Sequence, residues 1–85
     1  MGTPNVVYSS GRKDIWWTDD DGDLIQKWTT GSGWNGGNQA SAACRPNAEP
    51  QAAWEGSEMH VYAEGASSGT VFHWWYDGSV HTEVL

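Results

Sequence analysis

The sequence has a single cysteine, Cys44, among its 85 residues. One cysteine cannot form a disulfide within a chain, so a disulfide framework is excluded, and there is no cysteine set for a zinc site. A thiol among small residues, as here, is typical of a buried and unreactive side chain. A chain of this length buries only about 60% of the surface that its unfolded form exposes. We therefore expect a stabilising device other than a disulfide.

Basic residues are also scarce: four Lys and Arg stand against eleven Asp and Glu, which gives a formal net charge of −7. Binding to nucleic acid or to an anionic membrane surface depends largely on basic residues that neutralise phosphates. No apolar segment approaches the ~18 residues of a membrane span, and residues 1–13 lack the basic start and apolar run of a secretion signal. We expect a soluble chain with no nucleic-acid partner and no membrane insertion.

The patterns of catalytic and metal sites are missing as well. No Ser-His-Asp order stands at a strained turn, no glycine-rich loop precedes a helix, and the carboxylates cluster in one turn. The spacing of His60, His73 and His81 is not that of metal ligands. We expect a protein that is not an enzyme and that uses no cofactor and no metal.

The acidic stretch IWWTDDDGDLIQKW, residues 15–28, is the first candidate for a site. An EF-hand calcium loop needs carboxylates at alternate positions before a glycine. Counting back from Gly22 gives Asp21, Asp19 and then Trp17, which cannot bind calcium. Asp-Gly between two apolar runs instead indicates a hairpin turn, because glycine accepts positive φ and aspartate bonds to the nearby backbone. We expect a turn here.

Seven tryptophans and an internal repeat are the main positive features of the sequence. PNVVYSSGRKDIWW, residues 4–17, matches PQAAWEGSEMHVYA, residues 50–63, and GDLIQKWTTGS, residues 22–32, matches GTVFHWWYDGS, residues 69–79. A repeat of about 40–50 residues with several short alternating segments predicts β-propeller blades, each a four-stranded meander. We predict an all-β chain with one blade in residues 1–45 and a second in residues 46–85.

Alternation and turn residues place four strands in each blade. We expect strands at residues 5–9, 13–18, 23–30 and 39–44 in the first blade, and at 51–55, 59–64, 70–76 and 80–84 in the second. In each blade, alternation collects aromatic and hydrogen-bonding side chains on one face. In the first blade these are Asp14, Trp16, Gln26 and Trp28. In the second blade they are His60, Tyr62, His73 and Trp75.

The order of these elements resembles the repeats of β-propeller lectins. The pattern is P-x-V/A-V/A-aromatic-x-x-G-x-x-D-I/V-aromatic, followed by D-G-x-L-x-x-K-W and G-W-x-G. It is similar to the Photorhabdus-type lectins, and more distantly to the Aleuria-type fucose-binding lectins and their short Ralstonia and Burkholderia relatives. The resemblance covers nearly the whole chain. It implies a multivalent carbohydrate-binding lectin, with glycans as partners and sites between blades.

Two blades cannot close a ring, and each would leave an open face and edge in water. Three chains give six blades, as in the short two-blade lectins that the sequence resembles, and four chains give eight. We favour a homotrimer, with a homotetramer as the alternative.

The resemblance also implies sites in which an aromatic ring stacks on the apolar face of a sugar while polar side chains bond its hydroxyls. The candidate residues are Trp34, Trp54, Trp16, Gln26, Tyr62, His73, Trp75, Arg12 and Glu58. The Arg and Glu that hold fucose in the Aleuria-type repeats are replaced here by Asp14 and Gln26, and by His60 and His73, so fucose is not the expected sugar. The same aromatics could instead only pack blades together, and a structural scaffold without ligand is the alternative function.

Overall fold

The computed structural model describes all 85 residues, which form β-strands and no helix. Sheet 1 consists of β1 (Asn5–Ser9), β2 (Arg12–Thr18), β3 (Leu24–Thr29) and β4 (Asn35–Ala40). Sheet 2 consists of β5 (Gln51–Glu55), β6 (Glu58–Glu64), β7 (Val71–Tyr76) and β8 (Val80–Val84). Each sheet is an antiparallel meander with its strands in chain order. The chain has no helical segment that could cross a membrane.

Every predicted strand except one is found within a residue of its expected bounds. The prediction for the fourth strand is wrong, because β4 spans Asn35–Ala40 and not residues 39–44. Its two glycines, Gly36 and Gly37, pair with Lys27 and Gln26 on β3. Gly36 has a φ of +108°, and a side chain there would collide with the backbone of Gln26. Pairing with β3 therefore places in a strand a glycine-rich segment that looks like a loop in the sequence.

The acidic stretch forms the expected hairpin turn between β2 and β3. Asp19 Oδ1 accepts the backbone N–H groups of Asp21, at 2.9 Å, and of Asp23, at 3.0 Å. Gly22 adopts a φ of +79° at the tip. Asp23 Oδ1 accepts the N–H of Ala42 at 2.7 Å, which ties the turn to the segment after β4. Two of the acidic side chains thus serve to hold backbone in place.

The hydrophobic core lies between the two sheets. On β2 the side chains alternate in burial, with Asp14, Trp16 and Thr18 fully buried, as the predicted alternation requires. Trp16 packs on Trp74 of β7, with ring centroids 4.7 Å apart. The buried core residues are Trp16, Leu24, Cys44, Met59, Val61, Ala63, Phe72 and Trp74. Sheet 1 and sheet 2 are therefore held together face to face by large apolar side chains.

The segment between the sheets, residues 41–50, fixes their relative position. Thr18 Oγ1 accepts the N–H of Ala48 at 2.7 Å and lies 3.0 Å from the carbonyl oxygen of Arg45, to which it donates. Cys44 forms an isolated β-bridge with Gly65 at the end of β6. These bonds join the connection to sheet 1 and to the end of β6 in sheet 2.

Each sheet has a second face that the other sheet does not cover. On sheet 1 this open face carries Lys13, Ile15, Trp17, Ile25 and Lys27. On sheet 2 the open face carries Glu58, His60, Tyr62, His73, Trp75 and Glu83. By the repeat, the open face of sheet 2 corresponds to the buried face of sheet 1, and the open face of sheet 1 corresponds to the buried face of sheet 2. The two sheets therefore stack front to back, which means that they turn opposite faces of the repeat toward each other.

Candidate binding cleft between the sheets

A cleft of about 380 Å³ opens between the sheets beside the core. It lies where the side chains of β2 and β3 meet those of the β5–β6 hairpin and of β7. The residues that line it are Arg12, Gln26, Trp28, Gln39, Trp54, Ser57, Met59, Trp74, Tyr76 and Val80. The walls therefore combine three indole rings with a guanidinium, two amides and two hydroxyls.

An ion pair joins Arg12, which lines the cleft, to the buried Asp14 of sheet 1. Asp14 has no exposed surface, and its two carboxylate oxygens accept hydrogen bonds from Arg12 Nε, at 2.8 Å, and Arg12 Nη2, at 2.9 Å. Gln26 Nε2 donates a third hydrogen bond to Asp14, also at 2.9 Å. Asp14, Arg12 and Gln26 come into contact because β2 and β3 pair Asp14 with Trp28 and Trp16 with Gln26. The pair neutralises the charge of the buried carboxylate.

The guanidinium of Arg12 also contacts two tryptophans. Its central carbon lies 4.4 Å from the ring centroid of Trp28 on β3 and 5.4 Å from that of Trp54 on β5. Both distances are within the range of a cation–π interaction. Arg12 keeps 30% of its side chain exposed, so it faces the cleft while bonded to Asp14. The arrangement fixes a planar donor group between two aromatic walls.

The structure gathers three of the candidate residues, Arg12, Gln26 and Trp54, around this cleft. Trp16 is fully buried against Trp74, so it has no surface to offer a ligand; it packs the sheets together. Trp34 is 55% exposed in the connection just before β4 and does not line the cleft. The other candidates, Glu58, Tyr62, His73 and Trp75, lie on the open face of sheet 2.

Trp74 and Tyr76 line the cleft but were not among the candidates. In sheet 2 the candidates other than Trp54 belong to the face that points away from sheet 1. Because repeated sheets stack front to back, two neighbours present opposite faces of the repeat to the space between them. Applied to the alternation of β7, this rule would have selected Trp74 and Tyr76 in place of His73 and Trp75.

The open face of sheet 2 carries a row of stacked rings. His73 stacks on Tyr62, with centroids 4.3 Å apart, and on Trp75, at 4.4 Å. Trp75 in turn stacks on His81 at 5.0 Å. The angles between neighbouring ring planes are 4°, 21° and 18°. This flat row is a second aromatic surface, separate from the cleft.

Two titratable groups have shifted pKa values, and neither lines the cleft. Burial raises the pKa of the Cys44 thiol to about 11. This excludes Cys44 as a nucleophile near neutral pH, because the thiolate is the reactive form. Desolvation acts to raise the pKa of Asp77, but hydrogen bonds from His81 and from the backbone N–H of Ser79 outweigh it, so the pKa is lowered.

No model of a known protein family matches the chain, and no curated protein or solved structure matches it. Function must therefore be argued from the cleft, the open faces and the motifs of the chain itself.

Proposed function

We propose that the chain is a non-catalytic lectin that binds glycans in the cleft between sheets 1 and 2, which are two blades of a β-propeller. The observation that carries the proposal is the placement of Arg12 between Trp28 and Trp54 in an open cleft of about 380 Å³. That volume lies in the range of about 300–1,000 Å³ usual for small-ligand sites. A sugar needs both an aromatic surface for its C–H face and fixed hydrogen-bonding groups for its hydroxyls.

The groups around the cleft can supply both requirements. Arg12 uses its Nε and Nη2 atoms to bind Asp14, and its other N–H groups are free to donate to sugar hydroxyls. Gln26 and Tyr76 add polar atoms on opposite walls. Trp54 offers an indole face at the end of β5. Because the carboxylate of Asp14 already neutralises Arg12, the cleft favours neutral hydroxyl-rich ligands over strongly acidic ones.

The open faces support assembly of the chain into a closed ring. The packing between sheet 1 and sheet 2 can be repeated between sheet 2 of one chain and sheet 1 of the next, because the faces correspond in the repeat. Lys13 and Lys27 on the open face of sheet 1 would then approach the open face of sheet 2, which carries Glu58 and Glu83. These charges are complementary. Three chains would close a six-bladed homotrimer, and four chains an eight-bladed homotetramer.

A glycan-binding experiment on three tryptophan and tyrosine variants tests the proposal. The mass of the sample is first measured by light scattering, and a panel of monosaccharides is then titrated while tryptophan fluorescence is followed. We expect saturable binding of at least one sugar, and loss of that binding in Trp54→Ala. The matched variant is Tyr8→Ala, which removes the exposed aromatic at the position equivalent to Trp54 in sheet 1. In a monomer Tyr8→Ala should leave binding unchanged.

In a ring, Tyr8 would line the clefts between chains, and Tyr8→Ala should then remove a fraction of the sites while leaving the others intact. Trp34→Ala tests whether the connection before β4 contributes to any site. Sugar binding that is equal in the wild type and in Trp54→Ala would refute the cleft as the site.

The alternative function, a scaffold without ligand, has one observation in its favour. The guanidinium of Arg12 already stacks on Trp28 and Trp54, so these rings have a partner within the chain. A stable trimer that responds to no sugar would favour the scaffold. A stable monomer would contradict the ring.

A further inference from the structure

The β5–β6 hairpin brings two carboxylates and one imidazole together on the open face of sheet 2. His60 Nε2 lies 3.0 Å from Glu58 Oε1 and 3.6 Å from Glu55 Oε2. The ligand atoms of these three side chains all lie within 4.8 Å of one another. The imidazole is largely buried, with 13% of its side chain exposed, whereas both carboxylates reach solvent. The spacing of the three histidines alone does not indicate this cluster, because its carboxylates come from the glutamates on either side of the β5–β6 turn.

The hydrogen bonds behind His60 leave this cluster without enough donors. His60 Nδ1 lies 3.0 Å from His73 Nε2, and His73 Nδ1 lies 2.7 Å from Glu83 Oε2. The row from Glu58 to Glu83 thus contains three contacts, each of which needs one hydrogen. A neutral imidazole carries one N–H, so two neutral imidazoles supply only two. If His73 donates to Glu83 and His60 donates to His73, then His60 Nε2 presents a lone pair to two carboxylates.

In sheet 1 the equivalent positions include a permanent cation, the guanidinium of Arg12, which binds the carboxylate beside it. The repeat places Arg12 at the position of Glu58, Asp14 at that of His60 and Gln26 at that of His73. In sheet 1 the guanidinium supplies the positive charge of the network. Sheet 2 has no such group, because residues 46–85 contain neither Lys nor Arg. Within one chain, the cluster in sheet 2 therefore has the acceptors of an ionic network and lacks its cation.

We propose that Glu55, Glu58 and His60 form a binding site for a divalent transition-metal ion, of which zinc is the representative. Imidazole nitrogen and carboxylate oxygen are both zinc ligands, with bonds of about 2.0–2.2 Å, so tetrahedral ligand atoms lie about 3.3 Å apart. The contacts of 3.0 and 3.6 Å at His60 bracket that separation. A fourth position remains open to water. The proposal does not rest on glycan binding in the cleft between sheets 1 and 2.

The residues behind the site meet a further requirement of zinc centres. A metal-bound histidine usually donates its second N–H to a partner that fixes its orientation. Here His60 Nδ1 has His73 as that partner, and Glu83 holds His73 in turn. With a metal on Nε2, both imidazoles are neutral and every contact in the row is satisfied. His73 is thus a positioning residue for the ligand His60.

Calorimetric titration of zinc chloride into the metal-free full chain tests the proposal. We expect one zinc ion per chain. Binding should be lost in His60→Gln and in Glu58→Gln, and His73→Gln should weaken it by about 10–100-fold, the usual effect of removing such a partner. Cobalt(II) added in place of zinc should give the visible absorption of a tetrahedral centre with nitrogen and oxygen ligands. The far-ultraviolet circular dichroism of each variant establishes that it is folded.

Two control variants separate this site from other groups that could bind the ion. Asp21→Asn removes a carboxylate from the acidic turn of sheet 1, where Asp19, Asp21 and Asp23 also lie close together. His81→Gln removes the histidine that pairs with Asp77. Both variants should bind zinc as the wild type does.

Three binding results would overturn the proposal, as would one stoichiometry: no binding at millimolar zinc, binding that survives in His60→Gln, or binding that is lost in Asp21→Asn. A stoichiometry of one zinc ion per two chains would also overturn it, since the ion would then bridge chains. Glycan titrations on the same samples report separately on the cleft, so failure of one proposal does not imply failure of the other.

Discussion

The buried carboxylate of Asp14 gives the sharpest prediction for stability. Arg12→Met keeps most of the length of the side chain but removes the guanidinium, which leaves a charged group with no exposed surface and only Gln26 as a hydrogen-bond partner. Breaking a buried ion pair by removing one partner costs about 3–5 kcal/mol. Because 30% of the Arg12 side chain is exposed, we expect a loss near the lower end, about 3 kcal/mol.

The assay is urea unfolding followed by tryptophan fluorescence at one fixed chain concentration, because self-association would add to the apparent stability. The double variant Arg12→Met/Asp14→Leu removes both charges. It should recover most of the loss, since replacing a whole buried pair with apolar residues is often neutral. Gln26 would still lack its acceptor, so a deficit of about 1 kcal/mol, the low end for an unsatisfied buried polar group, should remain.

With the single variant Asp14→Leu added, these proteins form a double-mutant cycle that measures the coupling free energy between Arg12 and Asp14. A cost below about 1 kcal/mol for Arg12→Met, as for a surface ion pair, would refute the reasoning. It would mean that water or another group reaches Asp14, and that the charge of Arg12 is used mainly toward the cleft.

The remaining predictions concern the core. Trp16→Ala should lower the free energy of unfolding by about 3 kcal/mol, the low end for a buried tryptophan, because the substitution also removes a buried indole N–H that has no acceptor. Trp17→Ala, on the open face, should cost clearly less in the same unfolding assay. Folded protein should not react with a thiol reagent such as DTNB at pH 8, whereas urea-unfolded protein should react at once, because the pKa of Cys44 is raised to about 11; fast reaction of the folded chain would contradict its burial. The same shift makes the unfolded state lose its proton first, so stability should fall as pH rises from about 9 towards 11, and Cys44→Ala should lack this component.

The sequence was sufficient for the elements that depend on alternation and on turn chemistry. Asp-Gly at residues 21–22 predicted the β2–β3 turn, and alternation on β2 predicted that Asp14, Trp16 and Thr18 share one face, although not that this face is buried. The position of β4 could not be predicted, because Gly36 enters the sheet only through its close approach to Gln26 of β3. The conformational preferences of the local sequence do not reveal that contact.

The candidate site was also predicted only in part, and the cause differs from that for β4. Arg12 and Trp54 were found because they are a polar and an aromatic residue next to turns, and Gln26 because it lies on the predicted face of sheet 1. The rest of the wall formed by sheet 2, including Trp74 and Tyr76, was missed, since the sequence shows which residues share a face but not which face of sheet 2 meets sheet 1. The cluster of Glu55, Glu58 and His60 was missed because its members lie on two strands and only the hairpin joins them.

The correspondence of the two open faces has a consequence for the order of the sheets along the chain. A circular permutant that begins with sheet 2 and continues through a short linker into sheet 1 would place the Lys13 and Lys27 face against the Glu58 and Glu83 face within one molecule. The interface in which Trp16 packs on Trp74 could then form only between two molecules. The stability of the permutant as a monomer would therefore measure the strength of the interface between the two open faces, which the present order of the sheets does not allow within one chain.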